Sequence, residues 1–76
     1  MYYVYVLRNI ENKEFYYGYT ENLEKRIKEH NKNNNYELLY YEAYKTKKDA
    51  YSRERQLKHH AQALTALKAR LKESLK

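Results

Sequence analysis

Eleven of the 76 residues are tyrosine, one is glycine, and proline and cysteine are absent. Each tyrosine brings an apolar ring that must be covered and a phenol that must reach water or a hydrogen-bond partner. The hydrophobic share of 42% therefore overstates the dry material available for a core, whose edges must be wet. A chain of this length has apolar surface for one small core and not for a second, so a single domain over residues 1–76 is expected. Without cysteine, neither disulfides nor thiolate-held zinc can supplement that core, and a reducing compartment is indicated. No stretch approaches the roughly 18–20 apolar residues of a membrane span, and Met1 to Leu7 lacks the basic start and long apolar run of a signal peptide. A soluble cytoplasmic protein with no membrane partner is the expectation.

The pattern of the first twenty residues is that of a hairpin. Tyr2 to Arg8 alternates Tyr3, Tyr5 and Leu7 with Tyr2, Val4 and Val6, which predicts a strand buried on both faces. Glu11-Asn12-Lys13 is a polar turn, and Phe15 to Thr20 returns as a second aromatic strand. If Leu7 lies opposite Tyr16, then Tyr5 lies opposite Gly18, and Tyr5 and Tyr16 share a face. The only glycine of the chain then stands where a ring, ligand or helix approaches the backbone closely.

Glu21 to about Lys32 reads as a helix with Asn22 as N-cap and Glu24–Lys28 as a supporting pair, ended by Asn31 and the loop-forming run Asn33-Asn34-Asn35. Its inward stripe is Leu23 and Ile27, yet Arg26 and His30, four apart, flank that stripe and point two polar groups toward the sheet side. Leu38 to Tyr44 predicts a third strand beside the hairpin. Thr46-Lys47-Lys48-Asp49 has capping-box spacing for a helix that runs on without glycine or proline and breaks near His59-His60. Leu64, Leu67, Leu71 and Leu75 stripe its latter half. In its first half the stripe is Ala50, Glu54, Leu57, which sets a carboxylate on the core side with Arg53 and Arg55 beside it. A buried carboxylate needs a partner, an arginine or a metal. His59 and His60 project about 100° apart on a helix and are read as surface residues.

Charge is unevenly placed. The net charge is +6, but residues 1–44 sum to −1 and residues 45–76 to +7. A one-sided basic surface suits a polyanion, DNA or RNA, whose phosphates exchange condensed counterions for Lys and Arg. Two phenols, an arginine, a histidine and a carboxylate facing one surface are a set able to cleave a phosphodiester. One carboxylate with waters can hold Mg²⁺ or Mn²⁺, arginine offers a fork of donors to the charge that grows on phosphorus, and a phenol or imidazole can take a proton from water.

At these residues the chain resembles a GIY-YIG nuclease domain of the small stand-alone bacterial type, related to the N-terminal domain of the excinuclease. Tyr3-Val4-Tyr5 matches the first motif, Tyr16-Tyr17-Gly18 the second, and Thr20 follows in the usual place. The helix from Asn22 carries the family's arginine, Arg26, and four residues on its histidine, His30. Arg53-Glu54-Arg55-Gln56-Leu57-Lys58 is similar to the segment whose glutamate holds the metal. The first motif departs in lacking its glycine and isoleucine, the second has Tyr17 for isoleucine, and Tyr19 stands where some relatives place a lysine.

The resemblance implies an α+β fold, a three-stranded antiparallel sheet flanked by helices in the order β-β-α-β-α-α. It also implies Mg²⁺- or Mn²⁺-dependent hydrolysis of DNA at a site lined by Tyr5, Tyr16, Arg26 and His30, with Glu54 as metal ligand. Either tyrosine could be the base. Two other classes stay open: a nucleic-acid-binding module without turnover, and a basic domain for an acidic protein partner. Target choice would come from a protein partner or from DNA shape, and the oligomeric state is left open.

Overall fold

The alternating aromatic run forms β1 (Tyr2–Asn9), and its two apolar faces are the reason it sits at the centre of the sheet. The computed structural model describes the backbone of residues 1–76 and the side chains of all but Ala61. β2 (Phe15–Thr20) and β3 (Tyr36–Tyr44) flank β1 antiparallel, giving the order β2-β1-β3. Three helices, α1 (Leu23–His30), α2 (Lys47–His59) and α3 (Ala61–Arg70), complete an α+β fold in the order β-β-α-β-α-α. The hairpin register is the expected one, with Leu7 opposite Tyr16 and Tyr5 opposite Gly18. No helix among the described residues is long and apolar enough to cross a membrane.

The core occupies one face of the sheet. Val4 and Val6 of β1 pack with Ala50 and Leu57 of α2 and Leu67 of α3, rimmed by Tyr17, Tyr19, Tyr40 and Tyr44. The rings of that rim supply the wet edge that the tyrosine content requires. α3 joins α2 at His60, which ends one helix and begins the next, so the expected break falls at the histidine pair. His59 and His60 are exposed, as read from their helical separation.

The opposite face carries Tyr3, Tyr5 and Leu7, with α1 laid over it. Thr20 Oγ1 accepts from the Asn22 N–H at 3.1 Å, a local turn that directs the chain into α1. The Asn22 side chain then accepts from the Lys25 N–H at 3.1 Å as N-cap. α1 is shorter at both ends than the sequence suggests, because Asn22 caps it and Asn31 closes it, its side chain accepting from the Tyr36 N–H at 2.7 Å. Glu24 and Lys28 pair as expected, at 3.4 Å. Leu23, Arg26, Ile27 and His30 are the half-buried residues of this helix, so the mixed stripe does face the sheet.

β3 begins two residues earlier than the apolar run indicates and contains an irregularity. Val6 pairs with Tyr40 but Leu7 pairs with Leu38, so Leu39 is the extra residue of a bulge and packs, like Tyr40, against the core. The Thr46 side chain caps α2 through the Asp49 N–H at 3.3 Å.

Because Leu67 is 2% exposed and belongs to the same cluster as Val4 and Val6, α3 is part of the core and not an appendage. Leu67→Ala should therefore cost about 2–5 kcal/mol of unfolding free energy. The half-buried Leu64→Ala should cost clearly less. Urea denaturation followed by circular dichroism checks both, and equal small effects would contradict the packing of α3.

Candidate active site

Tyr5 is the pivot of the α1 face. It is 1% exposed, and its ring lies across Gly18: a Cβ built there would sit 2.6 Å from Tyr5 Cζ and closer still to the phenol oxygen. Only glycine permits this approach, which accounts for the single glycine of the chain. The phenol so placed meets His30 of α1, with Oη 3.1 Å from Nε2. The Tyr16 ring stacks on Tyr5 with centroids 6.3 Å apart and lies 4.4 Å from the His30 ring. Tyr5, Tyr16 and His30 thus form one cluster, drawn from β1, β2 and α1.

Burial pushes the Tyr5 phenol up to about 12, with Tyr16 and Glu54 adding to the rise and Arg26 opposing it. Burial and the nearby Arg26 lower His30 from its ordinary value, against a weaker pull from Glu29. Near neutral pH the pair is therefore a protonated phenol and a neutral imidazole, and in the Nδ1–H tautomer of His30 the Tyr5 O–H donates to Nε2.

A cleft of about 550 Å³ opens where β2 forms the edge of the sheet. Tyr5, Tyr16 and Gly18 line it from the α1 face, Tyr17 and Tyr19 from the core face, and Arg26, Lys25, Lys47, Glu54 and Lys58 from the helices. Four of the five residues singled out in the sequence, Tyr5, Tyr16, Arg26 and Glu54, share this cleft. His30 lies behind it and reaches it through Tyr5. Arg26 is 3.4 Å from Glu29, an exposed i,i+3 pair that leaves its fork largely available.

The Glu54 side chain is 12% exposed on the inner side of α2, as its place between Ala50 and Leu57 demands, but its ion-pair partner is not an arginine. Neither Arg53, Arg55 nor Arg26 pairs with it; Lys58 does, at 3.3 Å across one helical turn. Arg53 instead turns to Glu42 of β3, with Nε 3.0 Å from Oε1. Glu42 also accepts from Tyr40 O–H at 2.6 Å and from Tyr44 O–H. Burial alone would raise its carboxyl, but these donors outweigh burial and hold it below the usual carboxylate range. This cluster, which clamps α2 to β3, was not found from the sequence. Its signal was present in the spacing Tyr40, Glu42, Tyr44, three positions on one face of a strand. Arg55 lies 5.9 Å from the Tyr51 ring and Lys68 4.7 Å from the Phe15 ring, so the C-terminal cations are dispersed and only Lys47 and Lys58 reach the cleft.

Among the described residues no group of three or more His, Cys, Asp or Glu side chains is placed to enclose a metal ion. Glu54 nevertheless fits a hard divalent cation that needs one carboxylate and completes its shell with water and phosphate oxygens. It is an oxygen donor on the wall of an open cleft, and a half-exposed lysine is its ion-pair partner.

Comparison with known proteins identifies the family of the chain. A family model described as the GIY-YIG catalytic domain matches residues 1–68. A UPF0213 protein of Clostridium perfringens is 39% identical over 67 residues, covering 76% of this chain and 71% of that protein. No solved structure matches the chain.

Two outcomes follow from the Tyr5 environment. Gly18→Ala forces the buried phenol aside and should cost about 1–3 kcal/mol, read by urea denaturation, with the Tyr5–His30 hydrogen bond lost in the imidazole NMR signals. Tyr5 and Tyr44 are both raised from 10.0 to about 12, so the folded chain holds these protons more tightly than the unfolded one. The resulting stability is complete below pH 10 and is lost as pH rises through 12. An ultraviolet titration should show phenols ionising late, together with unfolding; all eleven ionising near pH 10 in a folded protein would contradict it.

Proposed function

The chain belongs to the GIY-YIG catalytic-domain family, a family of nucleases, and on that premise we propose that it is a divalent-metal-dependent endonuclease hydrolysing DNA phosphodiester bonds, in DNA repair or processing. The observation that carries the reading is the convergence of the Glu54 carboxylate from α2 and the Tyr5, Tyr16 and Arg26 side chains on one cleft. Glu54 would hold Mg²⁺ or Mn²⁺, which when bound supplies polarisation of the phosphate and stabilisation of the leaving oxygen.

The remaining work falls to the side chains. Lys25 and Lys47 at the cleft hold the phosphate backbone by charge. Arg26 presents its planar fork to the equatorial oxygens of the phosphorane, where negative charge grows in the transition state. Tyr5 serves as proton relay rather than as a free phenolate, because its elevated pKa keeps it protonated. As water attacks phosphorus, its proton passes to Tyr5 Oη while the Tyr5 proton passes to His30 Nε2, leaving a neutral phenol and an imidazolium. This distinguishes Tyr5 from Tyr16: the first has an acceptor in line, the second is 40% exposed and packs against His30, keeping the imidazole oriented.

The experiment is cleavage of plasmid and branched DNA with Mg²⁺ or Mn²⁺. Glu54→Gln should abolish cutting while leaving salt-dependent DNA binding in place. Arg26→Ala should lower turnover about 10²–10³-fold, the scale for removal of one transition-state donor. Tyr5→Phe should lower turnover and shift its acidic limb, which His30 sets. If wild type and Glu54→Gln bind DNA alike and neither cuts, the chain is a binding module and the hydrolytic reading fails.

A further inference from the structure

We propose that Lys58 is the resident counter-ion of Glu54, occupying the carboxylate until a divalent cation displaces it and then passing to a phosphate oxygen in the same cleft. The inference rests on the reading of Glu54 as a metal ligand and adds a residue that couples ion binding to nucleic-acid binding. Lys58 Nζ lies 3.3 Å from Glu54 Oε1, and both side chains line the cleft. The pairing is built into α2, with the acid four residues before the base, the favourable order for a helix pair.

The two partners differ in freedom. Glu54 is held at 12% exposure, whereas Lys58 is 40% exposed on a four-carbon stem that can turn without disturbing the core. Glu42 provides the contrast within the same fold: two phenols and a guanidinium saturate it, and no cation could replace them without dismantling the clamp. Glu54 gives up one exposed ammonium and nothing else that the packing depends on. An ammonium and a divalent ion cannot share one carboxylate at a few ångströms without strong repulsion, so arrival of the ion expels the lysine. The expelled ammonium remains beside Lys25, Arg26 and Lys47, where a phosphate would lie. Conversely, a phosphate that draws Lys58 away uncovers the carboxylate. Each ligand therefore raises the affinity for the other, by the same factor in both directions.

The test is calorimetric titration of the intact protein with Mn²⁺, with and without an uncleavable DNA duplex, for wild type, Lys58→Met, Glu54→Gln and Lys72→Met. Lys58→Met keeps the aliphatic stem and should bind Mn²⁺ about twofold more tightly without DNA, the scale of a single helix pair relieved. The tightening that DNA confers on wild type should shrink in this variant. Lys72→Met removes the same charge from the tail and should leave Mn²⁺ affinity as in wild type. Unchanged or weakened Mn²⁺ affinity in Lys58→Met, with binding still dependent on Glu54, overturns the counter-ion assignment alone. Glu54→Gln indistinguishable from wild type, including no saturable binding in either, overturns the metal-ligand reading on which it rests.

Discussion

The ring of Tyr5 lies across the backbone of Gly18, and the arrangement of the whole α1 face follows from that contact. The central strand can bury Tyr5 completely only because the strand beside it offers no side chain at the opposed position. Once the ring lies flat, its phenol meets the His30 imidazole that the last turn of α1 delivers, with the Arg26 guanidinium of the same helix beside it. Tyr16, two residues before Gly18 on the same face, then stacks on the pair from the mouth of the cleft. A contact that costs packing freedom thus sets the spacing of the Tyr5, Tyr16 and His30 side chains.

The second organising element is α2, which faces two ways with adjacent residues. Arg53 and Glu54 project about 100° apart, so one reaches the carboxylate of β3 while the other turns into the cleft. The two carboxylates involved differ in kind. Glu42 accepts from Tyr40, Tyr44 and Arg53, is held below the ordinary range, and fastens the helix to the sheet. Glu54 has a lysine of its own helix and open space. A saturated carboxylate is a structural clamp; an undersaturated one beside a basic cleft is suited to an exchangeable ligand. In the proposed chemistry the clamp matters because it fixes the angle at which α2 presents Glu54.

What the sequence made legible was local and periodic. Alternation from Tyr2 to Arg8 indicated a strand buried on both faces, setting Leu7 opposite Tyr16 placed Tyr5 against Gly18, and Asn22 and Thr46 marked two helix starts, because each of these is decided within a few residues. The stripe Ala50, Glu54, Leu57 was enough to turn the carboxylate inward. The bulge at Leu39 could not be read, since an extra residue becomes visible only against the strand it pairs with. The ion pair between Glu54 and Lys58 was not read for a similar reason. An arginine or a metal was the expectation there; Arg53 pairs instead with Glu42, eleven positions away and on another element, leaving Lys58 as the neighbour one turn along. The bond between Tyr5 and His30 likewise depends on how a helix docks on a sheet, which no spacing along the chain specifies.

The most direct test is anomalous X-ray diffraction from crystals of the protein soaked in Mn²⁺ and bound to an uncleavable DNA strand. One Mn²⁺ peak is expected at the Glu54 carboxylate, with a phosphate oxygen in its shell, the Arg26 guanidinium on that phosphate, and the Tyr5 phenol facing the attacking side. A phosphate in the cleft with no ion at Glu54, or an ion and phosphate bound elsewhere with Lys58 still on Glu54, would contradict the proposed chemistry.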